Sequence, residues 1–214
     1  MLGPAIVLTL VTFLNGPPRQ PDFAESALKR VVFGCHLDIE GSATERDRDV
    51  AARLRTVDER CRAFAARTPP PAAASDVGMA ALARWRYAQR LFAVAAGDVA
   101  VEATQYATAL KPCYEWEGFH DCPEAEAVFA ERYLAAHPSS AFASYLPLLS
   151  AHRWLCAAEG YEYELQSKVP GSKTGVGLVQ ARVTYAKDLA AARASRDPLI
   201  RFVAETLDER GACR

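Results

Sequence analysis

Several features are scarce in this sequence, and each scarcity excludes a class of protein. Lysine occurs 5 times in 214 residues and arginine 20, against 26 acidic residues, for a formal charge of −1. That balance leaves no electrostatic footprint for nucleic acid or an anionic membrane surface. No apolar run approaches the roughly 18 residues of a membrane-spanning helix. Six cysteines are present, yet no C-x-x-C occurs, which excludes zinc-ribbon, thioredoxin-like and c-type haem signatures. Glycine is sparse at 12 residues. The fragment Gly171-Ser172-Lys173-Thr174 has Pro170 before it and no preceding strand, so it is not a phosphate loop. Neither G-x-S-x-G nor H-E-x-x-H appears, so the chain leans away from an enzyme, and no cofactor is implied.

Apolar residues are plentiful at 50%, 41 of the residues being alanine, enough for one sizeable core. Ala5 to Leu14 form an apolar run followed by the breaker Asn15-Gly16-Pro17-Pro18. Its length and position suit the core of a secretory signal, although no Lys or Arg precedes it and no A-x-A site follows. Residues 1–16 are therefore expected to be a signal segment and 17–214 a single α-helical domain. An even cysteine count agrees with a periplasmic or secreted, disulfide-bonded protein.

Helical signals recur along the rest of the chain, and no stretch alternates with period 2. In Ser42 to Ala66, Ser42 and Glu45 have capping-box spacing. Val50, Leu54, Val57, Cys61 and Phe64 then form one apolar stripe, with Arg and Asp opposite. Asp22 to about His36 reads as a shorter helix before it. After the break at Thr68-Pro69-Pro70-Pro71, Ser75 or Asp76 opens a helix to Ala96, and another ends before Lys111-Pro112. Further helices are expected over Pro123 to about Ala136, roughly Ala141 to Leu165, from the break at Pro170–Thr174 to about Ala194, and Asp197-Pro198 to Gly211. The fold class is all-α: an antiparallel array of about seven to eight helices.

Within Ala127 to Leu146, an aromatic helix carrying Phe129 and Tyr133 ends at His137-Pro138. Ser139-Ser140-Ala141 then starts an alanine-containing helix. This junction, over residues 123–165, resembles the helical hairpins of tetratricopeptide-like repeats in bacterial envelope proteins. The resemblance implies a protein-interaction role. No second copy appears at a 34-residue period.

Cys113 and Cys122 bracket a short polar segment and are expected to bridge. If the first two helices form a tight hairpin, Cys61 lies about 27 Å from Cys35 at 1.5 Å per residue, beyond bridging range. One pair is then expected among Cys61, Cys156 and Cys213, with Cys35 reduced. The enclosed segment is the densest in functional side chains: Tyr114, Glu115, Trp116, Glu117, Phe119, His120 and Asp121. A pinned acidic and aromatic loop suits capture of a protein partner. The same carboxylates and His120 could instead serve a metal ion, although Glu117-x-x-His120 occurs once, without the second copy that such metal helices use. His152, Cys156 and Glu159 share a helix face, read as a core histidine beside a disulfide cysteine. Residues 111–133 hold six acids and two bases, and residues 168–201 seven bases and two acids, so the two regions could dock. The sequence thus points to an exported, disulfide-stabilised helical protein that binds another envelope or secreted protein. The alternative is an exported metal-dependent enzyme or metal-binding protein using the Cys113–Cys122 loop.

Overall fold

The sequence folds as helices wherever apolar periodicity is strong. In a computed structural model, the described residues are 22–113, 118–167, 174–210 and 213. Eight helices lie among them: α1 (Phe23–Val32), α2 (Arg48–Arg67), α3 (Asp76–Val94), α4 (Ala100–Ala109), α5 (Asp121–Ala136), α6 (Leu146–Gln166), α7 (Thr174–Arg193) and α8 (Pro198–Arg210). A short 3-10 turn, Glu45–Asp47, leads into α2. No strand occurs among the described residues, and none of their helices is long and apolar enough to cross a membrane. The expected signal segment, residues 1–16, lies outside the described residues.

Local chemistry explains the boundaries. Asp22 accepts from the Glu25 amide at 3.0 Å and opens α1; Ser75 accepts from Gly78 at 3.2 Å and opens α3. The α2 cap differs from the expected Ser42–Glu45 pair. Asp47 accepts from the Thr44 hydroxyl at 2.6 Å and from its amide, so the helix starts later. Helix α6 also starts later than Ala141. Residues 141–145 form turns with Phe142 and Tyr145 wholly buried, and Pro147 occupies the first turn, where a missing N–H costs nothing.

The α2 stripe Val50, Leu54, Val57, Cys61 and Phe64 is buried against the main core with Leu91, Phe92, Tyr106, Tyr145 and Leu207. Helix α6 is buried over most of its length and packs against both α5 and α7. Small residues permit close approach there. A Cβ on Gly177 of α7 would sit 2.3 Å from the Tyr161 ring of α6.

Sequential helices pack antiparallel from α2 to α3 and from α5 through α8, but α1 and α2 run parallel. After α1 the chain turns at Gly34 (φ +127°) and returns beside the helix. Ser26 Oγ accepts from the Glu40 amide at 3.0 Å. Gly41 (φ +76°) lies so close to α1 that a Cβ would be 2.6 Å from Phe23 N. Helix α2 therefore begins near the start of α1. Arg30, in the last turn of α1, meets Asp58 of α2 at 3.0 Å.

This return overturns the expectation that Cys35 stays reduced. Cys35 and Cys61 end at the same level and form a disulfide with Cα atoms 5.8 Å apart. The assumed tight hairpin does not exist, so the 27 Å separation does not arise. Cys113–Cys122 and Cys156–Cys213 are the other two bonds, with Cα separations of 5.7 and 5.2 Å, and no cysteine is free.

Candidate functional site

The Cys113–Cys122 segment joins the end of α4 to the start of α5, and both of its ends are fastened. The Cys113 amide donates to Glu126 Oε1 at 2.6 Å. Glu126 Oε2 pairs with Arg153 Nε of α6 at 2.9 Å, with both side chains largely buried. At the other end His120 stacks on Tyr161, ring centroids 3.9 Å apart. The His120 amide donates to Glu164 Oε1 at 3.2 Å, and its Nδ1 lies 2.5 Å from the same oxygen. Tyr161 donates its hydroxyl to Glu124 Oε2 at 2.5 Å. Burial and then that hydrogen bond push the Tyr161 phenol well above its ordinary value. Gly160 lets the segment sit on α6, since a Cβ there would be 2.5 Å from His120 N.

The residues named from sequence separate into groups. Tyr114, Glu115, Trp116 and Glu117 lie outside the described residues. His120 is used in holding the segment to α6. Asp121 is exposed at the first position of α5, where its charge favours the helix start. Phe119 is 37% exposed and meets the edge of Tyr163, itself 47% exposed, at 5.8 Å. Of the acidic and basic regions, Lys187 meets Glu131 at 3.3 Å, while Arg182 pairs with Glu162 on α6 instead.

His152 is fully buried, edge-on to Phe33 at 5.0 Å, with Nε2 3.7 Å from Cys156 Sγ. Cys156, Cys213 and His152 are close enough to form a metal-ligating group, but the disulfide occupies both sulfurs.

Sequence reasoning missed a second feature at the root of the pinned segment. Pro112 and Cys113 border a cavity of about 300 Å³, open to solvent, that lies between α3 and α6. Arg86, Arg90 and Arg153 line it together with His36 and Tyr87. Arg90 is 3% exposed, lies over the Tyr87 ring at 4.1 Å, and donates Nη1 to the Val32 carbonyl at the end of α1. Among the described residues its Nε and Nη2 have no acceptor, and neither does the Tyr87 hydroxyl as a donor. A buried donor left unmatched costs about 1–3 kcal/mol. Burial would lower the Arg90 guanidinium, but Tyr145, Tyr87 and Glu126 outweigh it and hold it above its ordinary value, so it stays charged. His36 is pushed down by partial burial and then by the Arg86, Arg90 and Arg30 charges, the mark of a locally positive site. The sequence carried no signal for it: only in the structure are Tyr87 to Val94 all buried, which leaves an arginine at position 90 no solvated face to occupy.

Comparison with protein-family models, with curated proteins and with solved structures found no match.

Proposed function

We propose that this chain is an exported, disulfide-stabilised helical module that binds another envelope or secreted protein through the Cys113–Cys122 segment. One observation carries this reading. The exposed Phe119–Tyr163 pair stands on a base held by a disulfide, by the Glu126 contacts and by His120 on Glu164. Rigid aromatic side chains lose little entropy on binding, which makes such a pair an efficient recognition element. The α5–α6 hairpin serves as the tetratricopeptide-like scaffold, and its buried Ala127, Ala157 and Ala158 support that packing. Three disulfides using all six cysteines agree with an oxidising compartment, periplasmic or extracellular.

The test has two parts. Intact mass of the native protein should lack about the first 16 residues, as a signal of ordinary length predicts, and should rise by six hydrogens on reduction. Full-length protein with six free thiols would overturn export. In the native host, a photo-crosslinker at position 119 should join a discrete protein, and Tyr163→Ala should cut that yield by about tenfold without lowering thermal stability. Unchanged crosslinking would overturn the assignment of the surface.

A further inference from the structure

We propose that His152, Cys156 and Cys213 form a redox-gated site for a zinc ion, closed while the Cys156–Cys213 disulfide is intact and opened when that bond is reduced. The site is separate from the Cys113–Cys122 segment and does not depend on the partner-binding reading. Helix spacing builds most of it. His152 and Cys156 are four residues apart on α6, so their side chains leave the same face one turn apart. The third ligand, Cys213, arrives from three residues past the end of α8. These three residues each place one ligand atom within 4.8 Å of the others.

The distances suit the ion. Zinc bonds of about 2.3 Å to sulfur and about 2.0 Å to nitrogen, set tetrahedrally, hold a sulfur and a nitrogen ligand about 3.6 Å apart. Cys156 Sγ stands 3.7 Å from His152 Nε2 and 3.9 Å from Nδ1, so a small turn of the imidazole aims one nitrogen at the ion. The same geometry sets two sulfurs about 3.8 Å apart, and Cys213, which lies outside any helix, is the residue that moves to reach it. Two thiolates and a neutral imidazole cancel the ion's charge. That removes the main cost of holding it where His152 and Cys156 are fully buried. Cys213 borders the solvent-open cavity of about 300 Å³ between α3 and α6, which gives a reductant access and leaves the fourth coordination position to water. A dithiol reductant, as its thiolate, attacks Cys213 Sγ, and the S–S electron pair leaves on Cys156. The reductant's second thiol then resolves the mixed disulfide and becomes a disulfide itself. Zinc displaces one proton from each protein thiol. A disulfide oxidant reverses the exchange: it takes up two electrons, the protein bond re-forms and the ion is released.

The experiment titrates cobalt(II), the spectroscopic stand-in for zinc, into the full chain and reads the visible absorption of tetrahedral thiolate coordination. The disulfide-bonded protein should show none. After reduction by a phosphine, the native chain should bind one more equivalent of cobalt than His152→Gln, and zinc should displace it. Reduction also opens the other two bonds, so a second variant isolates the site. Cys213→His offers an imidazole nitrogen in place of the sulfur, has the adjoining cavity for the larger ring, and retains Cys35–Cys61 and Cys113–Cys122 without any reductant. It should bind cobalt one to one. Adding His152→Gln to it should weaken that binding by more than about 100-fold, beyond what loss of an outer-shell partner costs. Circular dichroism and thiol counting confirm its helices and its two remaining bonds. Thiolate coordination in the oxidised native chain, equal stoichiometry in the reduced native chain and His152→Gln, or no cobalt binding by folded Cys213→His would each overturn the proposal.

Discussion

Removing each disulfide in turn, as paired cysteine-to-alanine variants, tests the topology quantitatively. The bonds close loops of 57 residues (Cys156–Cys213), 26 residues (Cys35–Cys61) and 9 residues (Cys113–Cys122). Loop-closure entropy lost from the unfolded chain then gives contributions of about 4.2, 3.5 and 2.6 kcal/mol respectively at 25 °C. Burial sharpens the ranking. Cys61, Cys156 and Cys213 are each at most 6% exposed, so their deletion also leaves unfilled core volume, whereas Cys113 and Cys122 are only partly buried. Guanidinium denaturation of Cys35→Ala/Cys61→Ala should therefore show a loss of at least about 3.5 kcal/mol. At this chain length that corresponds to a fall of about 7–14 °C in midpoint. The Cys113→Ala/Cys122→Ala variant should suffer least globally while freeing its own segment. If the Cys35/Cys61 pair proved neutral, or the nine-residue loop proved the costliest, the parallel placement of α1 and α2 would be wrong.

Two further outcomes follow from local geometry. Because burial and three arginines depress the folded-state value of His36, the unfolded chain takes up the proton first as pH falls. The associated stability is complete above the ordinary histidine value of about 6.5 and declines as pH drops through it. Denaturation at pH 7.5 and 5.5 should show that decline in the native chain and a smaller one in His36→Gln; identical slopes would remove the arginine field from consideration. Gly160→Ala should destabilise by about 1–3 kcal/mol despite alanine's better helix propensity, because the added Cβ meets the His120 backbone. It should also speed reduction of Cys113–Cys122; a stabilised variant would refute the packing of that segment on α6.

Much of the fold was legible where one helix face decides burial. The Val50–Phe64 stripe is the core face of α2, and eight helices lie among the described residues. Less legible was anything set by a contact distant in sequence. The direction of α2 depends on Ser26 holding Glu40 and on Gly41 lying against Phe23, neither of which leaves a periodic trace. The late start of α6 reflects burial of Phe142 and Tyr145 in turns, where side-chain packing overrides a continuous helical pattern. His120 looked like a ligand in sequence because its carboxylate partner Glu164 lies 44 residues away. Arg90 was silent because composition records a charge but not whether water reaches it.

The order of the disulfides along the chain has a consequence for how the protein matures. Every cysteine is joined to the next one in sequence: first with second, third with fourth, fifth with sixth. A polypeptide threaded N-terminus first through a pore would expose each thiol with its native partner following directly behind. An oxidant that simply couples neighbours as they emerge would yield the native set, so maturation would require no isomerase to reshuffle mispaired bonds.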